Sequence, residues 1–486
     1  MTNLRLLTIV FIAFLLMPAD TQCQQYAGNW EGKLEVRKRM LELVFHISPV
    51  AENQYTATMD IPAQKLYNLP AGTVNASDQS IEIRFPALGI IVTGSPDGAR
   101  KLKSIFAQNG LSFPFELKNT GEVTSGKKYN RPQTPAPPFS YAAEEVAFGS
   151  SDGTMQYSGT FTYPKDPTGG LKRYPAILLI TGSGPQDRDE TMFDHKPFAV
   201  LADQLTKAGY AVLRVDDRGM GATGGIFPRA NTGDFAYDAE NSLNFLKTRK
   251  ETDTARLGLL GHSEGGLIAA MLASKRRDIN FIILMASPVT DPLDLVAEQS
   301  ADMLVSRGVD ESKTKEFRPL MRDIVTAILS APDSSTAMRE ATSVFTRWEA
   351  TQSQKTIRLT TGVRDEKSMQ LFIGRLMSLL ANPWYQYYMR MQPAAYYKAI
   401  SCKVLALFGE KDIQVDPVIN SDLLRTYLPG RGKEALSIHV LPGLNHLFQH
   451  CKKCTFAEYA ELEETLAPEF QTLVVEWLNK NIAEGR

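Results

Sequence analysis

A lone serine stands inside a glycine-rich turn that follows an apolar run. The stretch LGLLGHSEGG (257–266) presents Ser263 between Gly261 and Gly265, and LIAAMLASK then continues as a helix. A G-x-S-x-G turn between a strand and a helix lifts the serine hydroxyl above a sheet and directs helical N–H groups at the group it attacks. A simple reverse turn would not require a serine there. The stretch therefore predicts that Ser263 is a nucleophile.

A serine nucleophile needs a base, so the six histidines are the next residues to consider. His446, in LPGLNHLF, follows the last apolar strand and is the predicted base because it can reach Ser263 from there. The other five histidines are expected elsewhere. His46 lies in the β-rich segment, and His195 follows a strand and could line the site. His262 flanks the serine and is expected to point into the sheet. His439 lies within a strand, and His450 is expected near the surface.

The acid that orients the base is expected between the serine and the histidine in the chain. The stretch LFGEKDIQVDP (407–417) follows an apolar strand and offers Glu410, Asp412 and Asp416. Asp412 lies on the loop itself, so it is predicted to bond the second imidazole nitrogen. Asp416 is the alternative and otherwise caps the following helix. The chain order Ser, Asp, His is that of the α/β-hydrolases.

Strands and amphipathic helices that could position these residues alternate from Tyr141 onward. The buried strands are expected at 176–181, 211–216, 257–261, 281–287, 403–409 and 436–442. This rhythm predicts an α/β fold with a mainly parallel, doubly wound sheet, whose sites lie at the carboxyl ends of the strands.

A long insertion of helical pattern, about 289–400, is expected to form a lid over those strand ends. Its stretch NPWYQYYMRMQPAAYY (382–397) is dense in aromatic residues. These rings either pack the lid on the sheet or line a substrate pocket.

The segments before residue 141 have other compositions. Arg5 and the short apolar run after it predict a signal peptide over 1–23, with lipidation of Cys23 as the alternative. Period-two strands over 24–121 predict a small antiparallel β domain, either a barrel or a sandwich. A Pro-rich linker is expected over 122–140, and the α/β domain over 141–486.

The composition of the chain limits the classes of partner that it is expected to bind. A chain of 486 residues should hold more than one domain. Its 53 Lys and Arg residues balance 54 Asp and Glu residues, which gives no argument for nucleic acid. The first apolar run is too short for a spanning helix, and no cofactor or metal is predicted. The CKKC stretch (451–454) is expected to form a local disulfide in an exported protein.

Five stretches together resemble the secreted bacterial α/β-hydrolases of the esterase branch that is described as serine-aminopeptidase-like. They are TGSGPQDRDE (181–190), RVDDRGMGATGG (214–225), GHSEGG (261–266), GEKDIQV (409–415) and NHLF (445–448). The resemblance implies hydrolysis of a small-molecule carboxylic ester through an acyl-enzyme. Alternatives are an aminopeptidase or amidase on the same triad, or an inactive ligand-binding protein. The N-terminal segment resembles an uncharacterised β module that precedes such hydrolases.

The resemblance also implies an oxyanion hole. Its donors would be the backbone N–H groups of Glu264 and Ser183, with Gly182 beside them. Relatives usually have a histidine where this chain has Thr181, so the loop is expected to be held differently. Within the charged run QDRDE, Arg188 is expected to support the site through Asp216 or Asp217.

Overall fold

The computed structural model describes the following residues: 25–36, 39–51, 54–64, 66–85, 89–98, 100–108, 111–121, 129–166, 170, 172–429 and 435–483. The predicted signal peptide, Cys23 and the start of the predicted linker lie outside the described residues. None of the helices formed by the described residues is both long and apolar enough to cross a membrane.

The described part of the N-terminal domain is a closed antiparallel barrel. Its strands are β1 (Gly28–Val36), β2 (Arg39–Ala51), β3 (Gln54–Ile61), β4 (Leu66–Pro70), β5 (Thr73–Ala76), β6 (Ile81–Phe85), β7 (Ile90–Pro96), β8 (Lys101–Gln108) and β9 (Leu111–Gly121). The order β2-β1-β9-β8-β7-β6-β5-β3 closes because β3 also pairs with β2, and β4 adds to β3. The predicted period-two pattern is visible in β6, where Ile81, Ile83 and Phe85 are buried. Closure leaves few exposed strand edges.

The second domain is built on an eight-stranded sheet in the described residues. The strands are β10 (Ala142–Gly149), β11 (Gln156–Tyr163), β12 (Tyr174–Ile180), β13 (Ala211–Val215), β14 (Thr252–His262), β15 (Phe281–Met285), β16 (Lys403–Gly409) and β17 (Leu436–Leu441). Their order is β10-β11-β13-β12-β14-β15-β16-β17. The pairings of β11 with β10 and β13 are antiparallel, and the others are parallel.

Helices cover both faces of this sheet, so the predicted doubly wound fold is confirmed. The helices are α1 (Pro197–Lys207), α2 (Thr232–Thr248), α3 (Glu264–Lys275), α12 (Pro417–Tyr427) and α13 (Pro468–Leu478). One apolar core contains side chains of α2 and α3, and a second contains side chains of α1 and α13. Alternate side chains of the buried strands point into these two cores, which is why the strands are apolar throughout.

Eight helices lie between β15 and β16, a stretch that the structure describes in full. They are α4 (Pro292–Ser306), α5 (Glu311–Thr314), α6 (Phe317–Ser330), α7 (Ser334–Glu349), α8 (Gln354–Thr360), α9 (Glu366–Leu380), α10 (Pro383–Tyr388) and α11 (Pro393–Ala399). This helical insertion has an apolar core of its own around Ile324, Phe345 and Ile373.

Residues 129–140, predicted as part of a linker, are bound to the α/β domain. The Arg131 guanidinium donates to the backbone carbonyls of Phe193 and Ala460. Gln133 donates to the carbonyl of Leu466 at 2.7 Å and accepts from its N–H at 3.0 Å. These side chains satisfy backbone groups, so the segment is a fixed strap and not a free spacer.

The barrel and the α/β domain share one apolar cluster. Phe193, Leu447 and Tyr459 of the second domain are buried in the same cluster as Trp30 and Phe45 of the barrel. Leu447 directly follows the predicted base, so the barrel contributes to the packing of that loop.

Candidate active site

Ser263 occupies a strained turn between β14 and α3. Its backbone angles are φ 52° and ψ −120°, a left-handed conformation that costs free energy for a residue other than glycine. A Cβ on Gly261 would lie 2.1 Å from the Gly265 carbonyl oxygen, and one on Gly265 would lie 2.1 Å from the Ile180 oxygen. The two glycines let the helix, the turn and strand β12 approach this closely, as the motif predicts.

His446 and Asp412 are joined by a short hydrogen bond. Nδ1 of His446 lies 2.7 Å from Oδ2 of Asp412, whose side chain is 0% exposed. The other carboxylate oxygen of Asp412 accepts from the N–H groups of Gln414 at 2.8 Å and Val415 at 3.0 Å. Because Nδ1 faces the carboxylate, Nε2 is the nitrogen left to accept a proton.

The other two acids of this loop have different partners. Oδ1 of Asp416 accepts from the N–H of Ile419 at 2.7 Å and caps α12. Glu410 accepts from the N–H of Gly443 at 2.9 Å. Of the three candidates, Asp412 is the acid that contacts His446.

Ser263 and His446 line one cavity of about 240 Å³. The predicted oxyanion residues Gly182, Ser183 and Glu264 line it as well. Most of the remaining lining is apolar or aromatic and comes from both the α/β core and the helical insertion: Met192, Pro197, Pro288, Leu295, Val296, Trp384, Tyr385, Tyr388, Val415, Leu447, Phe456 and Tyr459.

The loop after β12 is anchored by Asp217. The Thr181 hydroxyl donates to Oδ1 of Asp217 at 2.7 Å, and the N–H of Gln186 donates to Oδ2 at 3.0 Å. Burial raises the pKa of the Asp217 carboxyl well above its ordinary value. Thr181 therefore holds the loop by a bond to a buried acid.

Two candidate oxyanion donors are held by contacts of their side chains. The Ser183 hydroxyl donates to Oε2 of Glu264 at 2.7 Å, which ties the loop to the first residue of α3. The first N–H groups of a helix have no partner within it, so the N–H of Glu264 can donate to a bound group. The N–H of Gly182 instead donates to Oε1 of Glu190 at 2.7 Å.

Glu264 also joins the helical insertion to the turn that carries Ser263. Its Oε1 accepts from the Thr232 hydroxyl at 2.7 Å and from the indole N–H of Trp384 at 2.8 Å. Burial raises the pKa of this carboxyl. Trp384, Tyr385 and Tyr388 pack against the core of the sheet and also line the cavity, so both interpretations of the aromatic stretch describe them.

Arg188 supports the site through Asp216 rather than Asp217. Its Nε lies 3.0 Å from Oδ1 of Asp216 and its Nη2 lies 2.7 Å from Oδ2. The same guanidinium donates to the hydroxyls of Ser158 and Thr160 on β11. A two-point contact of this kind fixes the loop geometry as well as neutralising the carboxylate.

Four of the remaining histidines are held in other surroundings. His195 lines the cavity, but its ring nitrogens lie 2.9 Å from the Thr465 hydroxyl and 3.0 Å from the Tyr459 carbonyl oxygen, and burial lowers its pKa to about 4. The ring of His46 bonds Asp60 within the barrel domain, and His439 lies in β17. His450 is 55% exposed beside Glu464.

His262 has the contact that sequence reasoning missed. It was expected to point into the sheet, and it lies instead against Glu190, with Nδ1 2.9 Å from Oε1. Glu190 ends the charged run QDRDE, and 72 positions separate it from His262, so no local pattern signals the pair.

A family model described as "Serine aminopeptidase, S33" matches residues 195–449, which is more than half of the chain. The chain belongs to this family. The matched segment of the S33 domain runs from His195 to the loop that carries His446, and with the strand order it gives an α/β-hydrolase fold.

Several known proteins are similar to this S33 chain. Over 153 residues it is 33% identical to Esterase EstD of Thermotoga maritima, covering 31% of the chain and 35% of EstD. Over 156 residues it is 30% identical to Dipeptidyl peptidase 8 of Homo sapiens, covering 31% of the chain and 17% of that protein. The chain therefore spans much less than two thirds of these relatives. Among solved structures, the Pyrococcus furiosus esterase Pf2001 has a TM-score of 0.39 and 17% identity, covering 73% of this chain and 98% of that one.

Proposed function

We propose that this S33 protein is a serine hydrolase that cleaves carboxylic esters through an acyl-enzyme, with Ser263, His446 and Asp412 as its triad. The observation that carries the proposal is the strained turn of Ser263, which opens on the same cavity as the Asp412-bound ring of His446. Strain in a buried turn persists where surrounding contacts enforce it, and such turns expose nucleophilic serines in this fold.

In the proposed reaction, Nε2 of His446 takes the Ser263 hydroxyl proton as Oγ attacks the ester carbonyl carbon. The carbonyl oxygen gains negative charge and accepts from the N–H groups of Ser183 and Glu264. The C–O bond to the alcohol then breaks, and His446 returns the proton to the leaving alkoxide. Water repeats the sequence on the acyl-enzyme, which releases the acid and restores Ser263. Each backbone donor is worth about 3–4 kcal/mol in such transition states.

The cavity supports small esters as substrates. Its volume of about 240 Å³ and its largely apolar and aromatic lining suit a short acyl group or a single ring. We propose that the helical insertion acts as a lid, because Trp384, Tyr385 and Tyr388 of α10 close one side of the cavity.

A second candidate is an amidase or aminopeptidase that takes an amine-bearing substrate. A peptidase that recognises a free ammonium group needs an acid near its nucleophile, and Glu264 is a buried carboxylate in this cavity. Its bonds come from hydroxyl and indole groups, and among the described residues no Lys, Arg or His forms an ion pair with it. The sequence similarity to Dipeptidyl peptidase 8 and the sequence similarity to Esterase EstD each cover 31% of the chain.

The experiment that tests the proposal compares Ser263→Ala with wild type on p-nitrophenyl esters of increasing acyl length and on aminoacyl anilides. We expect ester hydrolysis to fall to background in the variant with unchanged thermal unfolding. The matched control is Ser274→Ala, whose hydroxyl donates to the Met271 carbonyl within α3. Full ester turnover by Ser263→Ala would exclude Ser263 as the nucleophile, and a preference for anilides would favour the second candidate.

We also propose that the protein is exported after removal of residues 1–23. The disulfide between Cys451 and Cys454 supports an oxidising compartment. The intact mass of the mature protein tests this, because cleavage before Cys23 with an added diacylglycerol would show the lipidated alternative.

A further inference from the structure

Both ring nitrogens of His262 face acceptors. Nδ1 lies 2.9 Å from Oε1 of Glu190, and Nε2 lies 3.1 Å from the backbone carbonyl oxygen of His446. A neutral imidazole carries one N–H and can make only one of these bonds as a donor, whereas an imidazolium makes both. The contacts therefore select the protonated ring.

The Glu190 carboxylate matches this charge. Oε1 of Glu190 accepts from Nδ1 of His262 and from the N–H of Gly182 at 2.7 Å, which an ionised carboxylate can do. The side chains of Glu190 and His262 are 5% and 6% exposed. Burial acts to lower the pKa of His262, but the Glu190 charge and the hydrogen bonds to Glu190 and His446 outweigh it, and the pKa is raised.

The backbone around Glu190 is distorted to bring its carboxylate to this position. Glu190, Phe193 and Asp194 have φ values of 54°, 51° and 63°, a region that residues other than glycine enter at a cost. Asp187 accepts from the N–H groups of Asp189 and Thr191, which holds the turn from within.

Two contacts hold the same turn from outside. Phe193 is buried in the apolar cluster of the barrel, and its carbonyl accepts from Arg131. A turn fixed from within and from outside can keep an unfavourable backbone conformation.

We propose that Glu190 and His262 form a buried ion pair that positions the active site. The pair joins the oxyanion loop through Gly182, the nucleophile turn through His262 and the base loop through the His446 carbonyl. This inference rests on the proposed function, in which His446 is the base.

The charges of the pair lie close to the base. The rings of His262 and His446 have centroids 4.9 Å apart, and Glu190 bonds the opposite ring nitrogen of His262 from the one facing His446. The imidazolium therefore lies between the carboxylate and the base, so the loss of either partner of the pair changes the charge beside the His446 ring. The other titratable groups facing the pair are Asp412 on the side of His262 and Asp217, whose pKa burial raises, on the side of Glu190.

The first test reads the protonation state directly and needs no activity. In ¹⁵N-histidine-labelled protein, the resonance assigned by its loss in His262→Gln should have imidazolium shifts at about pH 7.5, above the ordinary histidine pKa. Glu190→Gln should convert it to a neutral tautomer. A neutral ring in wild type would overturn the ion pair whether or not the protein hydrolyses esters.

The second test is the pH dependence of ester hydrolysis in wild type, Glu190→Gln, His262→Gln and the double variant. His262→Gln keeps a donor toward the His446 carbonyl but removes the charge. We expect each single variant to lower kcat about 10–100-fold with KM changed less than about threefold, because the geometry of the reacting groups is affected. The acid limb of kcat/KM should shift by about half a pH unit or more, because the charge beside the His446 ring changes.

A double-mutant cycle distinguishes a pair from two independent contacts. The double variant should be no less active than the less active of the two single variants, because either single change already destroys the pair. Glu476→Gln on α13 serves as a matched control and should match wild type in kcat and in the acid limb. Losses that multiply in the double variant, or a drop in kcat with an unmoved acid limb, would overturn the proposal.

Discussion

Oδ2 of Asp412 lies 2.7 Å from Nδ1 of His446, and the other carboxylate oxygen is held by two backbone N–H groups. The carboxylate is thus fixed before any substrate arrives, and it can hold the imidazole in one tautomer. Asp416, four positions later, uses its carboxylate to cap α12 instead. Two acids on one loop therefore have separable roles.

Replacement of Asp412 should lower turnover strongly, whereas replacement of Asp416 should leave turnover nearly unchanged. Asp412→Asn keeps the shape but lets the amide favour the wrong imidazole tautomer, so turnover should fall by up to about 10⁴. Asp416→Asn should keep turnover within about twofold, since asparagine also caps helices well. Steady-state ester hydrolysis by both variants at one pH checks this, and a larger loss for Asp416→Asn would reverse the assignment.

The anchor of the loop after β12, which carries the proposed oxyanion donor Ser183, can be tested at Thr181. Thr181→Val keeps the shape but removes the donor to Asp217, leaving a buried acceptor without that bond, so the free energy of unfolding should fall by about 1–3 kcal/mol. Turnover should fall about tenfold as the loop shifts. Urea unfolding and kinetics check both effects. The control is Thr248→Val, which loses an exposed bond to the Phe245 carbonyl, and equal effects in both variants would contradict the anchor.

The aromatic wall of the cavity should set the preferred acyl length. Trp384→Ala removes a ring that lines the cavity, so the ester chain length of highest kcat/KM should increase by about two to four carbons. Tyr387→Ala, on the same helix but 38% exposed, is the matched control and should keep the wild-type preference. A chain-length series of p-nitrophenyl esters measures the shift, and an unchanged profile in Trp384→Ala would place the acyl group elsewhere.

His195 should make the fold sensitive to acid. Burial lowers its pKa to about 4, so the unfolded chain takes up a proton between about pH 6.5 and 4 while the folded chain does not. Stability is therefore lost as the pH falls through this window, by roughly 3 kcal/mol for this group. The slope of unfolding free energy against pH should be smaller in His195→Asn and unchanged in the exposed His450→Asn. Equal slopes in His195→Asn and wild type would mean that His195 is already charged when folded.

Local sequence patterns were sufficient to predict much of the fold and several residues of the candidate site. The close packing at Gly261 and Gly265 could be predicted because the G-x-S-x-G turn is a contiguous motif whose close contacts exclude a Cβ. Asp412 and His446 could be predicted as candidates because each follows a strand whose carboxyl end lies at the same edge of the sheet.

Long-range contacts could not be predicted in the same way. The pairing of Glu190 with His262 depends on three left-handed residues and on Phe193 in the barrel cluster, none of which a local pattern reveals. The Pro-rich strap shows the same limit, since composition indicates a spacer while Arg131 and Gln133 bind specific carbonyl groups.

The apolar cluster that Leu447 and Phe193 share with the barrel limits how the two domains can be separated or exchanged. A chain cut at Tyr141 would present Leu447 and Phe193 to water and would loosen the loops that carry His446 and Glu190. We therefore expect that the barrel cannot be removed without disturbing the α/β domain. A chimera with another β module would retain activity only where the new module reproduces the apolar surface that receives these two side chains.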